Sequence, residues 1–519
     1  MVAGSTTDGL RRVMAALRRG IPASRVAIAA LFALVALPRS AIPLIDGDVY
    51  WHIRAGLEVL DTGQVPAEDS WSLVGDGMRW LSQDWLSNVL LGLGWRLGEI
   101  GPSVLSLAWS SLVVAALALL WWAFGLRRPE TGWLGRTGWL TVGLIVAGPV
   151  LGVRVQVVDL TLATAVVLSC WGYLARPSIG WLVALPTISL AWGNLHAGWP
   201  LIFLIGGAIV IGEAADQVLK RRPPHNMLTW RQIALLGGAL VVSIMPIAIN
   251  PSGLELYAYP LETSSIAAHR DFISEWQSPD PGTIVGQMFI AFVVVIVLPS
   301  LWIGRRTIRA ADALVIAGMT VMIALGARFQ LLAPIIAATA GLALEPVIAR
   351  TAVGRWFSKP LARLGTARSG ASLNVVNAAL IGIVVAAGLG VAWARVSPTA
   401  QRELVADHMP VGAVNWILAN DPGTRPFNQY SWGGYLGLRR PDHPIYIDGR
   451  SDIYGDRPIR EYANAVQLET DPQELFDRYA IDYILFPPNQ PLSQWLEDSP
   501  IWQREYVDAI AAVWIRSNE

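Results

Sequence analysis

The chain has 519 residues, of which 53% are hydrophobic and 15% are charged, and its formal net charge is zero. Soluble domains carry roughly a quarter of charged residues, so this composition is typical of a multi-pass membrane protein, whose partner is the lipid bilayer. A neutral chain gives no electrostatic reason to expect nucleic acid as a partner. Its single cysteine excludes an intrachain disulfide. The sequence contains no Walker loop, dinucleotide-binding glycine fingerprint or zincin helix, which argues against nucleotide hydrolysis and zinc proteolysis.

Long apolar segments predict a polytopic α-helical membrane protein with about 11 transmembrane helices, in a range of about 10–13. The first follows an arginine-rich stretch and is interpreted as an uncleaved signal anchor. The predicted spans are residues 25–45, 102–125, 137–153, 158–175, 179–194, 198–218, 232–249, 283–304, 308–326, 329–349 and 375–395. Three parts follow: an N-terminus (1–24), a transmembrane domain (25–395) that includes a first outer loop (46–101), and a C-terminal domain (396–519).

The orientation follows from Lys and Arg, which are concentrated in alternate connections between the spans, beginning with the N-terminus. Because cytoplasmic loops are enriched in these residues, the N-terminus is predicted to be cytoplasmic and the C-terminal domain extracytoplasmic. All chemically suggestive stretches then fall on the outer side: residues 46–85, 154–159, 194–199, 250–280, 328–330 and the tail from about 395. One outward-facing site is the simplest explanation.

The first outer loop begins with Asp-Gly-Asp-Val-Tyr-Trp-His-Ile-Arg at residues 46–54, directly after the first span. Its apolar residues recur at helical spacing, at Val49, Ile53, Leu57 and Leu60. This pattern predicts an amphipathic surface helix that ends at Gly63. Asp48, Trp51 and His52 then share one face of the helix, because they are three and four residues apart.

The two aspartates of this loop are the leading candidates for chemistry. Asp48 or Asp46 can act as a general base on an acceptor hydroxyl at the membrane surface. The same pair can hold Mg²⁺ or Mn²⁺ through oxygen ligands, so a divalent cation is a candidate cofactor. The structural alternative is that Asp48 only caps the helix that begins at Val49.

Several basic side chains on the outer side are candidates for binding a phosphate group. His52 and Arg54 follow the aspartates, although Arg54 can instead pair with Glu58 one helical turn later. His196 lies in a very short outer turn, and Arg328 stands alone between two apolar segments, where a polar group is costly without a function. Arg154 and Asp159 lie in another short turn, where they can pair with each other, so Arg328 is a better candidate than Arg154 for an anionic head group.

The C-terminal region is polar and alternates predicted strands with helices, which indicates a small α/β domain. Helices are predicted at 410–420 and from 472 to about 479, and strands at 445–447, 481–486 and within 505–515. Asp448, Arg450 and Asp452 alternate after the first of these strands. They are candidates for binding a sugar or a cation, although a turn after a strand uses the same residue types.

The segment Asp48-Val49-Tyr50-Trp51-His52-Ile53-Arg54 resembles the Asp-x-Tyr-Tyr-His-x-Arg type of segment in oligosaccharyltransferase catalytic subunits. The outer loop with two interfacial helices, followed by many spans, resembles the wider GT-C superfamily of membrane glycosyltransferases. The segments Asp84-Trp85-Leu86 and Tyr446-Ile447-Asp448-Gly449-Arg450 are similar to bacterial membrane proteins described as GT-C-like. This resemblance implies a location in a bacterial plasma membrane.

The resemblance also implies an inverting glycosyltransferase. It would transfer a sugar from a polyprenyl-phosphate-linked donor to an extracytoplasmic glycan, lipid or protein. Asp48, and next Asp46, would be the acidic residue of the active site, with Trp51, His52 and Asp84 beside the substrates. The tail has no Trp-Trp-Asp-Tyr-Gly motif, so glycosylation of peptide asparagine is not expected. The alternatives are a non-catalytic membrane scaffold and a component of glycan export or transport.

Overall fold

The computed structural model describes residues 23–221, 227–351 and 371–517. Nearly all of the predicted cytoplasmic N-terminus, and most of the basic segment at 350–368, lie outside these residues. The chain is a multi-pass α-helical membrane protein with a small C-terminal sheet. Its membrane region and first outer loop contain helices α1 (Ala23–Leu31), α2 (Leu37–Ser40), α3 (Asp48–Thr62), α4 (Trp85–Trp95), α5 (Gly101–Arg127), α6 (Trp133–Ala147), α7 (Val157–Ala175), α8 (Ile179–Leu195), α9 (Pro200–Val218), α10 (Trp230–Val242), α11 (Tyr259–Ser265), α12 (Ala267–Phe272), α13 (Ile284–Phe292), α14 (Leu298–Trp302), α15 (Ala310–Leu325), α16 (Ala333–Ile348) and α17 (Ala371–Val396).

Helices occupy every predicted span. Fewer than 11 of the described helical stretches, however, are long enough to cross a membrane. Among the described residues, 7 stretches are long and apolar enough to cross a membrane: Gly98–Arg127, Val157–Ala175, Pro200–Val218, Trp230–Ala248, Ile284–Arg306, Ala327–Ile348 and Asn374–Ala406. The other predicted spans correspond to α1, which is followed by a π-helical turn, and to α6, α8 and α15, which have 15, 17 and 16 residues. These helices are short for the ~20 residues that a bilayer core requires.

Helix α3 is the center of the first outer loop, and it ends at Gly63, whose φ of 70° suits glycine. The prediction of a surface helix is wrong, because Trp51 and His52 of the polar face are buried as well as Val49 and Ile53 of the apolar face. One side of α3 packs on α4 and the other on the C-terminal domain. Gly56 allows the backbones of α3 and α4 to approach closely, since a Cβ atom there would collide with the Asn88 carbonyl.

The C-terminal domain contains four strands in the order β1-β2-β4-β3, with β1 parallel to β2 and the other pairs antiparallel. The strands are β1 (Pro426–Asn428), β2 (Tyr483–Phe486), β3 (Trp502–Val507) and β4 (Ala512–Arg516). The helices are α18 (Pro398–Ala406), α19 (Val411–Asn420), α20 (Gly433–Arg439), α21 (Ser451–Tyr454), α22 (Asp456–Val466), α23 (Pro472–Arg478) and α24 (Pro491–Glu497).

The segment at 445–447 is not a strand of this sheet. Its Ile445 makes an isolated parallel bridge with Ser72 of the first outer loop. The Ile445 amide donates to the Trp71 carbonyl at 2.8 Å, and the Leu73 amide donates to the Ile445 carbonyl at 2.8 Å. The segment whose composition predicts a strand therefore attaches the C-terminal domain to the first outer loop.

Arg450 is the fully buried center of this attachment. Its guanidinium lies 4.5 Å from the Trp71 ring centroid and 4.7 Å from that of Trp80. It forms ion pairs with Asp448 at 2.9 Å and Asp69 at 2.8 Å. The expectation that Asp448 and Arg450 bind a sugar or a cation is therefore corrected: both side chains are satisfied inside the protein and have no free surface for a ligand.

Arg54 belongs to the same attachment. It donates to the Pro441 carbonyl at 2.9 Å, and its guanidinium lies 4.3 Å from the Trp71 ring centroid. Glu58 accepts from the Trp71 indole instead of pairing with Arg54. Neither the phosphate-binding role nor the predicted Glu58 pair is found, because the C-terminal domain covers this face of α3.

Candidate active site

A cavity of about 740 Å³ lies where the membrane helices meet the first outer loop and the C-terminal domain. All six stretches that the sequence places on the outer side contribute to its wall. The predicted site residues that line it are Asp46, Asp48, Trp51, His52, Asp84, His196 and Arg328. Further residues that line it include Arg154, Tyr259, Glu275, Tyr430 and Asp452.

Asp48 stands in the first turn of α3, with its carboxylate directed into the cavity wall beside Gly449. It does not cap the helix: Gly47 is the N-cap residue, and no side chain caps this end. Burial, and then the negative charges of Asp46 and Glu275, raise the pKa of Asp48 to about 7. A carboxyl group with such a pKa can accept and release a proton near neutral pH, as a general base must.

The Asp46 carboxylate has two partners. One oxygen accepts from the Asp48 amide at 2.9 Å, and the other forms an ion pair with Arg154. Arg154 also pairs with Glu275, and not with Asp159 as the sequence suggests. Burial lowers the pKa of Arg154, but Asp46 and Glu275 outweigh this effect and the net shift is upward, so its positive charge is permanent.

His52 is held by Asp84 and Asn88 of α4. Its Nδ1 lies 2.7 Å from the Asn88 amide oxygen and 3.2 Å from Asp84 Oδ2. Burial lowers the pKa of His52, but the Asp84 carboxylate outweighs burial and raises it. Burial likewise raises the pKa of Asp84, and His52 reverses this and lowers it. The two directions agree, and they indicate an imidazolium–carboxylate pair.

His196 also lies next to a carboxylate, that of Asp159. Its Nδ1 lies 2.7 Å from Asp159 Oδ2, while the Trp192 indole donates to Asp159 Oδ1 at 2.7 Å. A carboxylate on one ring nitrogen fixes the orientation of the imidazole and leaves the other nitrogen for a ligand. Both histidines therefore present an oriented ring to the cavity.

Arg328 has no ion-pair partner among the described residues, and its guanidinium lies 4.4 Å from the centroid of the Trp276 ring. It borders the main cavity and also a second, more apolar cavity of about 290 Å³. The two cavities share Gln83, Gln156, His196 and Tyr259 as well. The apolar wall of the second cavity is built from Ala197, Pro200, Leu201, Leu204, Pro260, Met322, Phe329, Leu331 and Leu332. A polar cavity thus continues into an apolar one, with a cation at the junction.

Asp452 brings a carboxyl group of the C-terminal domain into the main cavity. Its Oδ2 accepts from the Tyr259 hydroxyl at 3.1 Å, and that hydroxyl accepts from Gln83 at 3.0 Å. Burial, and then Asp84, raise the pKa of Asp452 to about 6. The sequence indicates Asp452 as the last charge of the alternating set Asp448, Arg450 and Asp452, of which the first two pair with each other.

The residues present do not fit a bound divalent cation. Mg²⁺ prefers six oxygen ligands, and Ca²⁺ takes six to eight. The described part of the chain contains no group of three or more His, Cys, Asp or Glu side chains that could hold a metal ion. Asp46 is already neutralized by Arg154, so Asp46 and Asp48 do not form the metal pair that the sequence allows.

No family model and no curated protein matches the chain. Several solved structures do match the chain. ArnT from Cupriavidus metallidurans in the apo state has 15% identity and a TM-score of 0.47 over 94% of this chain and 96% of that one. The same protein bound to undecaprenyl phosphate has 14% identity and a TM-score of 0.46 over 95% and 97%. The oligosaccharyltransferase AglB from Archaeoglobus fulgidus, in complex with an inhibitory peptide and a dolichol-phosphate, has 11% identity and a TM-score of 0.47 over 89% and 69%.

These neighbors are GT-C superfamily members, the superfamily that the first outer loop resembles in sequence.

Proposed function

We propose that this protein is a membrane glycosyltransferase that transfers a sugar from a polyprenyl-phosphate-linked donor to a hydroxyl group of an extracytoplasmic acceptor. One observation carries the proposal. A single cavity holds a carboxyl group that titrates near neutrality, two oriented histidines and the unpaired Arg328, and it continues into an apolar cavity between membrane helices.

The donor fits the two connected cavities. An isoprenoid chain matches the apolar walls formed by α9 and the segment that precedes α16. Its phosphate would then lie at the junction, next to Arg328 and His196. Charge that develops on a leaving phosphate is stabilized by fixed cations and hydrogen-bond donors, most strongly where water is excluded. A lipid-linked donor also explains why the site lies at the ends of the membrane helices.

The transfer itself is a single displacement. As the acceptor oxygen attacks the anomeric carbon, the Asp48 carboxylate takes the proton of the acceptor hydroxyl. The new C–O bond forms while the bond from the anomeric carbon to the phosphate oxygen breaks. The bond electrons leave with the polyprenyl phosphate, whose charge meets Arg328 and His196. The anomeric configuration is inverted, and Asp48 then returns its proton to water.

The acceptor would enter from the side of the C-terminal domain. Asp452, Tyr259 and Tyr430 line this side and offer hydrogen bonds to hydroxyl groups. The Trp51 indole nitrogen is buried and has no partner in the described part of the chain, so it can also bind an acceptor oxygen. These groups support an acceptor rich in hydroxyls, such as an envelope glycan, over a lipid or a protein.

The test is release of polyprenyl phosphate. Purified protein in lipid is given a panel of polyprenyl-linked sugars and an envelope extract, with Asp48→Asn and Asp61→Asn beside the wild type. Asp61 lies on the same helix but is 67% exposed and pairs with Arg96, so its variant controls for loss of a charge. We expect turnover by the wild type and Asp61→Asn, and none by Asp48→Asn.

Two outcomes would contradict the proposal. Specific binding of an envelope component without turnover, across all donors, would favor the scaffold. Movement of a lipid-linked or free glycan across vesicles that contain no acceptor would favor the transport component.

A further inference from the structure

Arg154 lies between carboxylates that come from distant parts of the chain. It precedes α7 and pairs with Asp46 of the first outer loop and with Glu275 of the loop before α13. The three side chains are 27%, 17% and 32% exposed, so they are partly open to the cavity that they line. The arrangement is a small ion network in the wall of the proposed active site.

Asp48 lies beside this network. Asp46, Asp48 and Arg154 line one small recess of the cavity wall, and Glu275 contacts the recess through Arg154. Neighboring carboxylates repel one another unless a cation lies between them, and Arg154 lies between Asp46 and Glu275. A divalent metal ion is one solution, and a guanidinium group is another. Arg154 supplies the guanidinium.

Resting on the proposed function, we propose that Arg154 is the resident cation of this active site and that transfer requires no divalent metal ion. Arg154 is a positioning residue. It holds Asp46 and Glu275 in place and balances their charge, which leaves Asp48 free to contact the acceptor. Because an arginine is always protonated in proteins, this cation is present at every working pH.

The proposal makes a prediction about metal binding that does not depend on turnover. A neutral residue at position 154 leaves Asp46 and Glu275 without the cation that they share, next to the Asp48 carboxyl group. Carboxylate oxygens are the ligands that Mg²⁺ and Mn²⁺ prefer. Arg154→Gln should therefore create a Mn²⁺ site that the wild type lacks. Arg154→Lys keeps the charge and should not create one.

The experiment is a Mn²⁺ titration followed by electron paramagnetic resonance, on full-length protein in lipid without donor. Arg154→Gln is expected to bind one Mn²⁺ at least about tenfold more tightly than the wild type or Arg154→Lys, since affinity follows the ligand charge. Adding Glu275→Gln to Arg154→Gln should remove the gain. A folded Arg154→Gln protein that gains no Mn²⁺ would overturn the proposal.

The wild type alone provides a second test, which holds even where Arg154→Gln does not fold. Tight binding of one Mn²⁺ that Asp46→Asn abolishes would overturn the proposal, as would turnover that a chelator stops and Mg²⁺ restores. Turnover that a chelator leaves unchanged is the expected result. Absence of any turnover would refute the proposed transferase. The Mn²⁺ titrations would then still test whether Arg154 occupies the place of a divalent cation.

Discussion

Replacing Asp48 by Asn should stabilize the protein at high pH while it abolishes transfer. The pKa of Asp48 rises from an ordinary 3.8 to about 7 in the folded chain. Between these two values the folded protein binds a proton that the unfolded chain has released. The free energy of unfolding therefore falls as the pH rises through this window, and the loss is complete above pH 7. Asn does not ionize, so the free energy of unfolding of the variant does not fall in this way as the pH rises.

The size of the effect follows from the shift. One pKa unit corresponds to about 1.4 kcal/mol, so a shift from 3.8 to about 7 amounts to at most about 4 kcal/mol above pH 7. Near pH 4 the advantage of the variant disappears, because the wild-type carboxyl group is then protonated in the folded state.

The assay is thermal unfolding of both proteins in lipid from pH 4 to 8, with Asp61→Asn as control. The difference in Tm between Asp48→Asn and wild type should grow with pH, while Asp61→Asn should track the wild type. In parallel, kcat/KM of the wild type should rise to a plateau above about pH 7, as expected for a base that must be ionized. A Tm difference that does not change with pH would refute this account of Asp48, as would a flat rate profile.

Three further substitutions test other parts of the site. Arg328→Ala should lower kcat/KM about 100-fold through loss of a phosphate contact. Arg270→Ala, at an exposed position of an outer-loop helix, should leave kcat/KM unchanged. Steady-state kinetics with varied donor checks both variants. Arg450→Ala should lower the free energy of unfolding by about 3–5 kcal/mol, because it leaves buried carboxylates unpaired. Arg457→Ala, at an 82% exposed position, should change it by less than about 0.5 kcal/mol in the same unfolding assay. Gly449→Ala should reduce kcat at unchanged donor KM, because its Cβ collides with the carboxylate at the start of α3; equal kcat would refute this contact.

The sequence predicted well what depends on local pattern. The spacing of apolar residues and the glycine at 63 place α3 within two residues of its actual bounds. The distribution of basic residues predicted which stretches share a face, and all of them reach one cavity. Hydropathy predicted where membrane helices occur, although several of them are shorter than a full span.

The sequence could not show which elements of the fold pack over which side chains. Helical spacing places Arg54 on the polar face of α3, but only the fold shows that the C-terminal domain lies over that face. Arg154 has a nearby carboxylate in sequence at Asp159, yet its partners come from loops more than a hundred residues away in each direction. Pairings of this kind depend on tertiary structure, which no local pattern encodes.

The segment that follows Tyr446 connects the C-terminal domain to the chemistry. Arg450 is buried between aromatic rings of the first outer loop, and this fixes the segment against α3. Gly449, one residue earlier, leaves the space that the Asp48 carboxylate occupies, and Asp452, two residues later, lines the cavity. The buried Arg450, the Gly449 that leaves space for Asp48, and the cavity-lining Asp452 thus lie within four residues of one another. A movement of the C-terminal domain would disturb all three together, so we infer that this domain is an integral wall of the site and sets the position of Asp48.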